Sequence, residues 1–309
     1  MVAQTALVTG GAGFIGSHVV DRLVGDGFRV LVADSLATGR RPNVHAEAAF
    51  HELDVRSPRL ADLFKSERPD VVFHLAAAAS VTGSVRNPAR DARVNVMGSI
   101  NVLQQARRLG IERFVFSSTG GALYGEPAYV PCDEAHPVRP LSPYGAAKSA
   151  VEGYVHAIAG LGGFGYTVLR YGNVYGPRQD PEGEAGVVAI FARRMLDGRD
   201  VVIYGDGEQE RDFVYVGDVV EANVKALAQS DDGVFNIGRG EGTSVNAVFG
   251  ALAAAAAYTR SPRHRPPRAG DVRRIFLDVR KAREGLGWSA AVGLEAGLAA
   301  TVESFRATG

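Results

Sequence analysis

The sequence is poor in the residues that would staple or anchor a fold. Only one of its 309 residues, Cys132, is a cysteine, which excludes an intrachain disulfide and any site built from several thiolates. No stretch approaches the ~18 uninterrupted apolar residues that a membrane-crossing helix needs. The opening, Met1 to Leu7, has no basic segment and runs directly into a strand pattern. No signal peptide is expected, and a cytoplasmic enzyme is the default reading. Net charge is also missing, with 34 basic residues against 34 acidic ones, which argues against a general nucleic-acid binder. Within the basic set lysine is scarce: only Lys65, Lys148, Lys225 and Lys281, the rest being arginine. The seven histidines show no paired ligand spacing, so no metal is expected.

What is present fits a globular α/β protein. Hydrophobic residues make 46% and charged residues 22% of the chain, close to the average for soluble domains. The length suits two domains or one large one. The 38 glycines exceed the ~7% of ordinary usage, and many separate apolar runs. Short runs at Thr5–Thr9, Arg29–Ala33, Ala48–Leu53, Val71–Leu75, Arg113–Ser117 and Tyr166–Tyr171 alternate with helical patterns at Ser17–Val24, Ala92–Leu109 and Tyr144–Ala159. That rhythm predicts a doubly wound parallel sheet of the Rossmann kind, buried on both faces. After about residue 172 the rhythm breaks. Helices are expected at Val187–Leu196, Asp218–Gln229, Ser244–Ala257 and Leu294–Phe305, strands at Val201–Tyr204 and Val234–Ile237, and a Pro/Arg loop at Arg260–Gly270. The expected division is a dinucleotide-binding domain over 1–172 plus about 213–237, and a smaller α/β lobe over 173–212 and 238–309.

Three patterns carry chemistry. Gly11-Ala12-Gly13-Phe14-Ile15-Gly16 follows a strand and opens a helix, the arrangement that seats a pyrophosphate on a helix N-terminus. Asp34 lies 18 residues on, at the end of the second strand, where a carboxylate takes ribose hydroxyls and repels a 2′-phosphate. NAD is therefore favoured over NADP. Tyr144 and Lys148 stand at i and i+4, and none of the other nine tyrosines has that partner. An ammonium on the same helix face is expected to pull the phenol pKa toward neutrality and make an acid–base group. Ser117, Ser118 and Thr119 end a strand at the side of the sheet where ligands lie.

These positions, with Asp54-Val55, His74–Val81, Asn95, Ser142-Pro143-Tyr144, Arg170–Arg178, Gly205–Asp218 and Arg268–Asp271, resemble the extended short-chain dehydrogenase/reductases, in the NAD-dependent epimerase/dehydratase group that acts on nucleotide sugars. The resemblance spans nearly the whole chain. It implies NAD as cofactor, with Gly10, Gly13 and Gly16 at the pyrophosphate, backbone donors from Phe14 and Ile15, Asp34 on the ribose, Asp54 and Val55 at the adenine, Ala76 and Asn95 lining the site, and Tyr144 and Lys148 at the nicotinamide end. It implies Thr119, Tyr144 and Lys148 as the catalytic set. Ser118, Asn173, Val188, Tyr204, Gln209, Arg211, Arg268 and Asp271 would hold a UDP-sugar. Ile275 would wall the sugar pocket. The implied activity is nucleotide-sugar 4-epimerisation of the UDP-glucose/UDP-galactose type through a transient 4-keto sugar, by a homodimer paired through helices of the 92–109 and 151–159 regions. Gly120-Gly121 stands where 4,6-dehydratases carry an Asp-Glu pair, so their acid and base are missing. A UDP-N-acetylhexosamine or UDP-glucuronate 4-epimerase stays open, the latter through Arg178, as does an NAD(P)H-dependent 4-ketoreductase. Either Thr119 or Ser118 could be the catalytic hydroxyl.

Overall fold

Alternation of short apolar strands with glycine-terminated helices builds the first half. The computed structural model describes residues 3–182, 186–229, 231–267 and 271–307. In chain order the elements are β1 (Thr5–Thr9), α1 (Phe14–Gly25), β2 (Arg29–Asp34), β3 (Ala49–Glu52), α2 (Leu60–Glu67), β4 (Val71–His74), α3 (Val81–Arg86), α4 (Pro88–Ala92), a π-helical turn (Arg93–Met97), α5 (Gly98–Leu109), β5 (Arg113–Thr119), α6 (Gly120–Leu123), α7 (Pro143–Gly160) and β6 (Gly165–Tyr171). Then come β7 (Asn173–Tyr175), α8 (Val187–Leu196), β8 (Val202–Tyr204), β9 (Glu210–Arg211), β10 (Phe213–Tyr215), α9 (Val216–Lys225), β11 (Gly233–Ile237), β12 (Thr243–Ser244), α10 (Val245–Ala256), β13 (Arg263–Arg265), β14 (Arg274–Ile275), α11 (Arg280–Leu286) and α12 (Leu294–Ala307).

The main sheet has seven strands in the order β11-β6-β5-β4-β1-β2-β3, every pair parallel. Strand order reverses between β1 and β4, so their carboxyl ends diverge and leave a crevice. Each strand alternates its side chains between two cores. One face carries Val8, Val32, Phe73 and Val115 against α1, α9 and Trp288. The other carries Leu7, Leu31, Val72, Phe114 and Phe116 against α2, α5 and α7. Each such fully buried side chain contributes roughly 1.5–3 kcal/mol, which explains why strand positions read so clearly. A third core joins α8, α10 and α12 through Phe191, Val248, Leu298 and Phe305. A fourth, of Tyr124, Cys132, Ile275 and Leu277, lies between them.

The structure differs from the periodicity in identifiable places. The helix expected over Ala92–Leu109 begins at Pro88 and is interrupted by the π turn. That turn holds Asn95, whose amide donates to Asp91 Oδ1 one turn back and clasps the backbone of Ala78. The helix of Asp218–Gln229 starts two residues earlier and tightens to a 3₁₀ turn at Ala226–Ala228. Part of the expected 260–270 loop is β13, paired with β8. The helices α2, α3 and α11, of eight, six and seven residues, were not expected from the sequence.

Candidate active site

The carboxyl ends of β1, β2, β4 and β5 open on one edge of the sheet. There the glycines set the shape. Gly10 has φ 74°, and a Cβ on it would sit 2.7 Å from the amide nitrogen of Ala76. A Cβ on Gly16 would overlap the carbonyl oxygen of Gly10. On Gly13 a Cβ would meet only the Gly10 carbonyl, at 3.2 Å. The turn therefore hugs the sheet at Gly10 and Gly16, while at Gly13 a side chain would press only on the Gly10 carbonyl. Gly13 caps α1 without a side-chain hydrogen bond, and the first turn carries no acid. The N–H groups of Phe14 and Ile15 have no intrahelical acceptor, and with the helix dipole they form an anion seat.

Asp34 is buried at the end of β2. Its Oδ2 accepts from Ala12 N at 3.0 Å and its Oδ1 from Leu36 N at 2.8 Å. A carboxylate has about four acceptor directions, so ribose hydroxyls still find lone pairs. The neighbouring arginines are turned elsewhere: Arg40 reaches Asp180 at 3.3 Å and Arg41 stacks on Phe50 at 4.5 Å. Asp54 is held by Arg56, whose guanidinium keeps the carboxyl below the usual carboxylate range. Val55 is buried against Gly98, and its carbonyl accepts from Asn101 at 2.7 Å.

Ala76 lies against Gly10 at the crevice. Asn95 does not line it. It is buried, with both ends of its amide spent on Ala78 and Asp91, so it pins the loop that lines the crevice. A chain of buried hydrogen bonds completes the same support. Ser99 Oγ donates to Asn95 O at 2.5 Å, so it must accept from His74 Nε2 at 2.8 Å. His74 Nδ1 then accepts from Thr9 Oγ1 at 2.7 Å, and Thr9 accepts from Ala76 N at 3.3 Å. Burial pushes His74 down to about 3, with the Lys148 charge adding to it, so the ring is neutral.

α7 starts sharply because Ser142 Oγ caps Gly145 N at 3.2 Å and Pro143 occupies its first position. Gly145 lets that turn press on α6, since a Cβ would lie 2.5 Å from the Ala122 carbonyl. Tyr144 and Lys148 are thus brought to the end of β5. Lys148 is 4% exposed, donates to the carbonyl of Ser117 at 2.7 Å, and stands 6.0 Å from the Tyr144 ring centre. The expected lowering of the phenol pKa does not hold for the protein groups alone. Burial first, and the charge of Asp91 second, push Tyr144 up to about 12. Burial pushes Lys148 down to about 8, against Glu152 and Asp91. Six ångströms and a hydrogen bond elsewhere leave the ammonium too little hold on the phenol to offset its desolvation.

The strand alternation separates the two candidate hydroxyls. Ser118 is buried and donates to Glu152, so its assignment to a substrate does not survive. Thr119 Oγ1 and Asn173 Oδ1 flank Gly121, at 3.9 and 3.4 Å from the position its Cβ would take. Arg211 pairs with Asp271, and Gln209 donates to Tyr204 O at 3.0 Å. Arg268 lies outside the described residues. Val188 is 1% exposed in the core of α8, α10 and α12, so its side chain flanks no ligand. Ile275 is likewise 2% exposed, packed with Tyr124 and Leu277 beneath the site rather than in its wall. Arg178 bridges to Asp21 on α1 at 2.7 Å.

Sequence reasoning missed Glu152 and Arg170. Arg170 on β6 holds Glu152 on α7 at 2.6 Å, and its other arm donates to Tyr124 Oη at 3.0 Å. The available signal was spacing: Glu152 follows Tyr144 at i+8 and Lys148 at i+4, on the same face.

The model of the NAD dependent epimerase/dehydratase family matches residues 6–238. The UDP-glucose 4-epimerase of Mycolicibacterium smegmatis is 45% identical over 306 residues, covering 97% of this chain and 98% of that one. A crystal structure of UDP-glucose 4-epimerase with UDP-glucose from Thermotoga maritima matches with a TM-score of 0.97 and 53% identity over 99% of both chains. The Thermus thermophilus UDP-glucose 4-epimerase complex with NAD matches at 0.93 and 47% identity, over 98% of this chain and 99% of that one.

Proposed function

The chain belongs to the NAD dependent epimerase/dehydratase family, and from that premise we propose that it interconverts UDP-glucose and UDP-galactose by inverting the sugar's C4 carbon. The reading is supported by Lys148, which donates to the Ser117 carbonyl near the end of β5 and lies 6.0 Å from the Tyr144 ring centre, with Thr119 closing the same strand and a glycine turn between β1 and α1. The cradle fits NAD: a close turn at Gly10 and Gly16 that admits no side chain, first-turn N–H groups on α1 with no intrahelical acceptor, and Asp34 where the ribose would lie. Gly10, Gly13, Phe14, Ile15, Gly16, Asp34, Val55 and Ala76 would hold the group, with Tyr144 and Lys148 at its nicotinamide end. When bound, NAD supplies reversible hydride acceptance and a positive charge near Tyr144.

The chain's own residues do the rest. Tyr144 takes the proton of the 4-hydroxyl and later returns it, which is general base and then general acid work. Lys148 keeps a positive charge beside that proton transfer. Thr119 donates to the 4-oxygen and steadies it as charge develops. Asn173, Gln209, Tyr204, Arg211 and Asp271, on the lobe of residues 173–212 and 238–309, hold the nucleotide's diphosphate and ribose, so remote binding energy anchors the substrate while the sugar turns. A guanidinium fork suits a diphosphate.

The test is incubation with UDP-glucose and no added cofactor. An epimerase that retains NAD produces UDP-galactose. A 4-ketoreductase does not turn over without added reductant, and that result would remove the reading. Parallel incubations with UDP-N-acetylglucosamine and UDP-glucuronate define the range. We also propose a homodimer through α5 and α7. Val85, Met97, Tyr154 and Leu161 leave 61, 58, 43 and 67% of their surface exposed on and around these helices, and a two-fold helix bundle would bury them. A monomer by sedimentation at micromolar concentration would count against it.

A further inference from the structure

Asp91 has no place in the site as described, yet it is buried behind it. It sits in α4 and is 4% exposed. Its Oδ1 accepts from Asn95 Nδ2 at 2.9 Å, while its Oδ2 is buried with no hydrogen-bond partner. An unpartnered oxygen on a buried carboxylate is costly unless a counter-charge lies near. α4 packs on α7, and the carboxylate acts electrostatically on both Tyr144 and Lys148.

The charges around α7 leave Asp91 one role. On α7 itself Glu152 is committed to Arg170 of β6 and to Ser118. His74 on β4 is kept neutral by its burial. Arg86 on α3, Arg90 on α4, Arg93 on the π turn and Arg108 on α5 are exposed, Arg107 on α5 lies by Gly163, and His156 on α7 is held by Tyr166. Arg113 on β5 turns to Tyr166 and Thr167. Glu152 and Asp91 both act on the Lys148 ammonium, and of the two only Asp91 keeps a buried carboxylate oxygen with no hydrogen-bond partner among the described residues.

We propose that Asp91 is a positioning residue for the Tyr144–Lys148 pair: a fixed negative charge that keeps Lys148 protonated and sets the pH range in which the pair exchanges a proton. The proposal rests on the acid–base reading of that pair. Removing the charge favours the phenolate and disfavours the ammonium, so both titrations move the same way.

The test is the pH profile of kcat in Asp91→Asn, which keeps the shape and the acceptor for Asn95, and in Asp91→Ala as a second charge-free variant. The whole bell should shift to lower pH by about one unit, in both variants. A purely structural role would lower the maximum and leave both limbs in place. Independently, the Tyr144 ring-carbon resonance, assigned by its loss in Tyr144→Phe, should titrate at lower pH in Asp91→Asn. That readout works even if no UDP-sugar is turned over, so failure of the function and failure of this role are separable. Limbs and resonance that stay at their wild-type positions in both variants would overturn the proposal.

Discussion

The buried Arg170–Glu152 pair makes the most demanding stability prediction. The two side chains are 8 and 11% exposed and meet at 2.6 Å, with further Arg170 Nε contacts at 3.0 and 3.2 Å. Arg170→Met replaces the guanidinium with an apolar chain and leaves Glu152 charged, buried and bound only by Ser118. Breaking a buried pair from one side costs about 3–5 kcal/mol, most of it the stranded charge. Against a total stability of about 5–15 kcal/mol, that is a large fraction. For a chain of this size it corresponds to a fall in Tm of about 5–8 °C. Thermal unfolding followed by the fluorescence of Trp288, the only tryptophan and 1% exposed in the α1–α9 core, reads it directly. The double variant Arg170→Met/Glu152→Leu removes both charges and should cost well under the sum of the single variants. A cost below about 1 kcal/mol for Arg170→Met, or strict additivity in the double, would refute the view that this pair clamps β5 and β6 to α7.

Tyr144→Phe should lower kcat by about 100-fold or more, the usual worth of a general acid–base group, while NAD retention and UDP binding stay near wild type; undiminished turnover would end the mechanism. Asp34 should make stripped protein bind NAD more tightly than NADP in competition, because its carboxylate meets a 2′-phosphate as a like charge. Gly16→Ala should abolish NAD retention, since its methyl would overlap the Gly10 carbonyl; an alanine variant that keeps its cofactor would show that the cradle is looser than described. His74 makes stability depend on pH. Folded, it titrates at about 3, against 6.5 when unfolded, so below pH 6.5 the unfolded chain takes up a proton that the folded one refuses. Stability is untouched above that range and is lost as pH falls through it, by about 2 kcal/mol at pH 5. Urea unfolding of wild type should show that extra loss relative to His74→Gln, and equal pH slopes would contradict it.

The sequence by itself determined the layered sheet, the glycine cradle with Asp34, and the Tyr144–Lys148 face. These are local: strand runs, turn chemistry and i, i+4 spacing act within a few residues, and nothing distant needs to be known to read them. Apolar burial then confirmed most element positions, because the same side chains that mark a strand also fill one of the two cores. What only the tertiary structure decided is where side chains from separate elements meet. Ser118 and Thr119 are adjacent in sequence, yet pleating sends one to Glu152 and leaves the other beside Asn173. Val188 and Ile275 sit in segments where a pocket was expected, and packing with distant helices and strands buried both. Arg178 finds its partner on α1, far earlier in the chain, at Asp21. The acid–base balance of Tyr144 was illegible for the same reason: it depends on desolvation and on Asp91, a carboxylate brought in by a different helix. Spacing along one helix reports which groups share a face, whereas pKa values follow the dielectric and charges of everything packed against it.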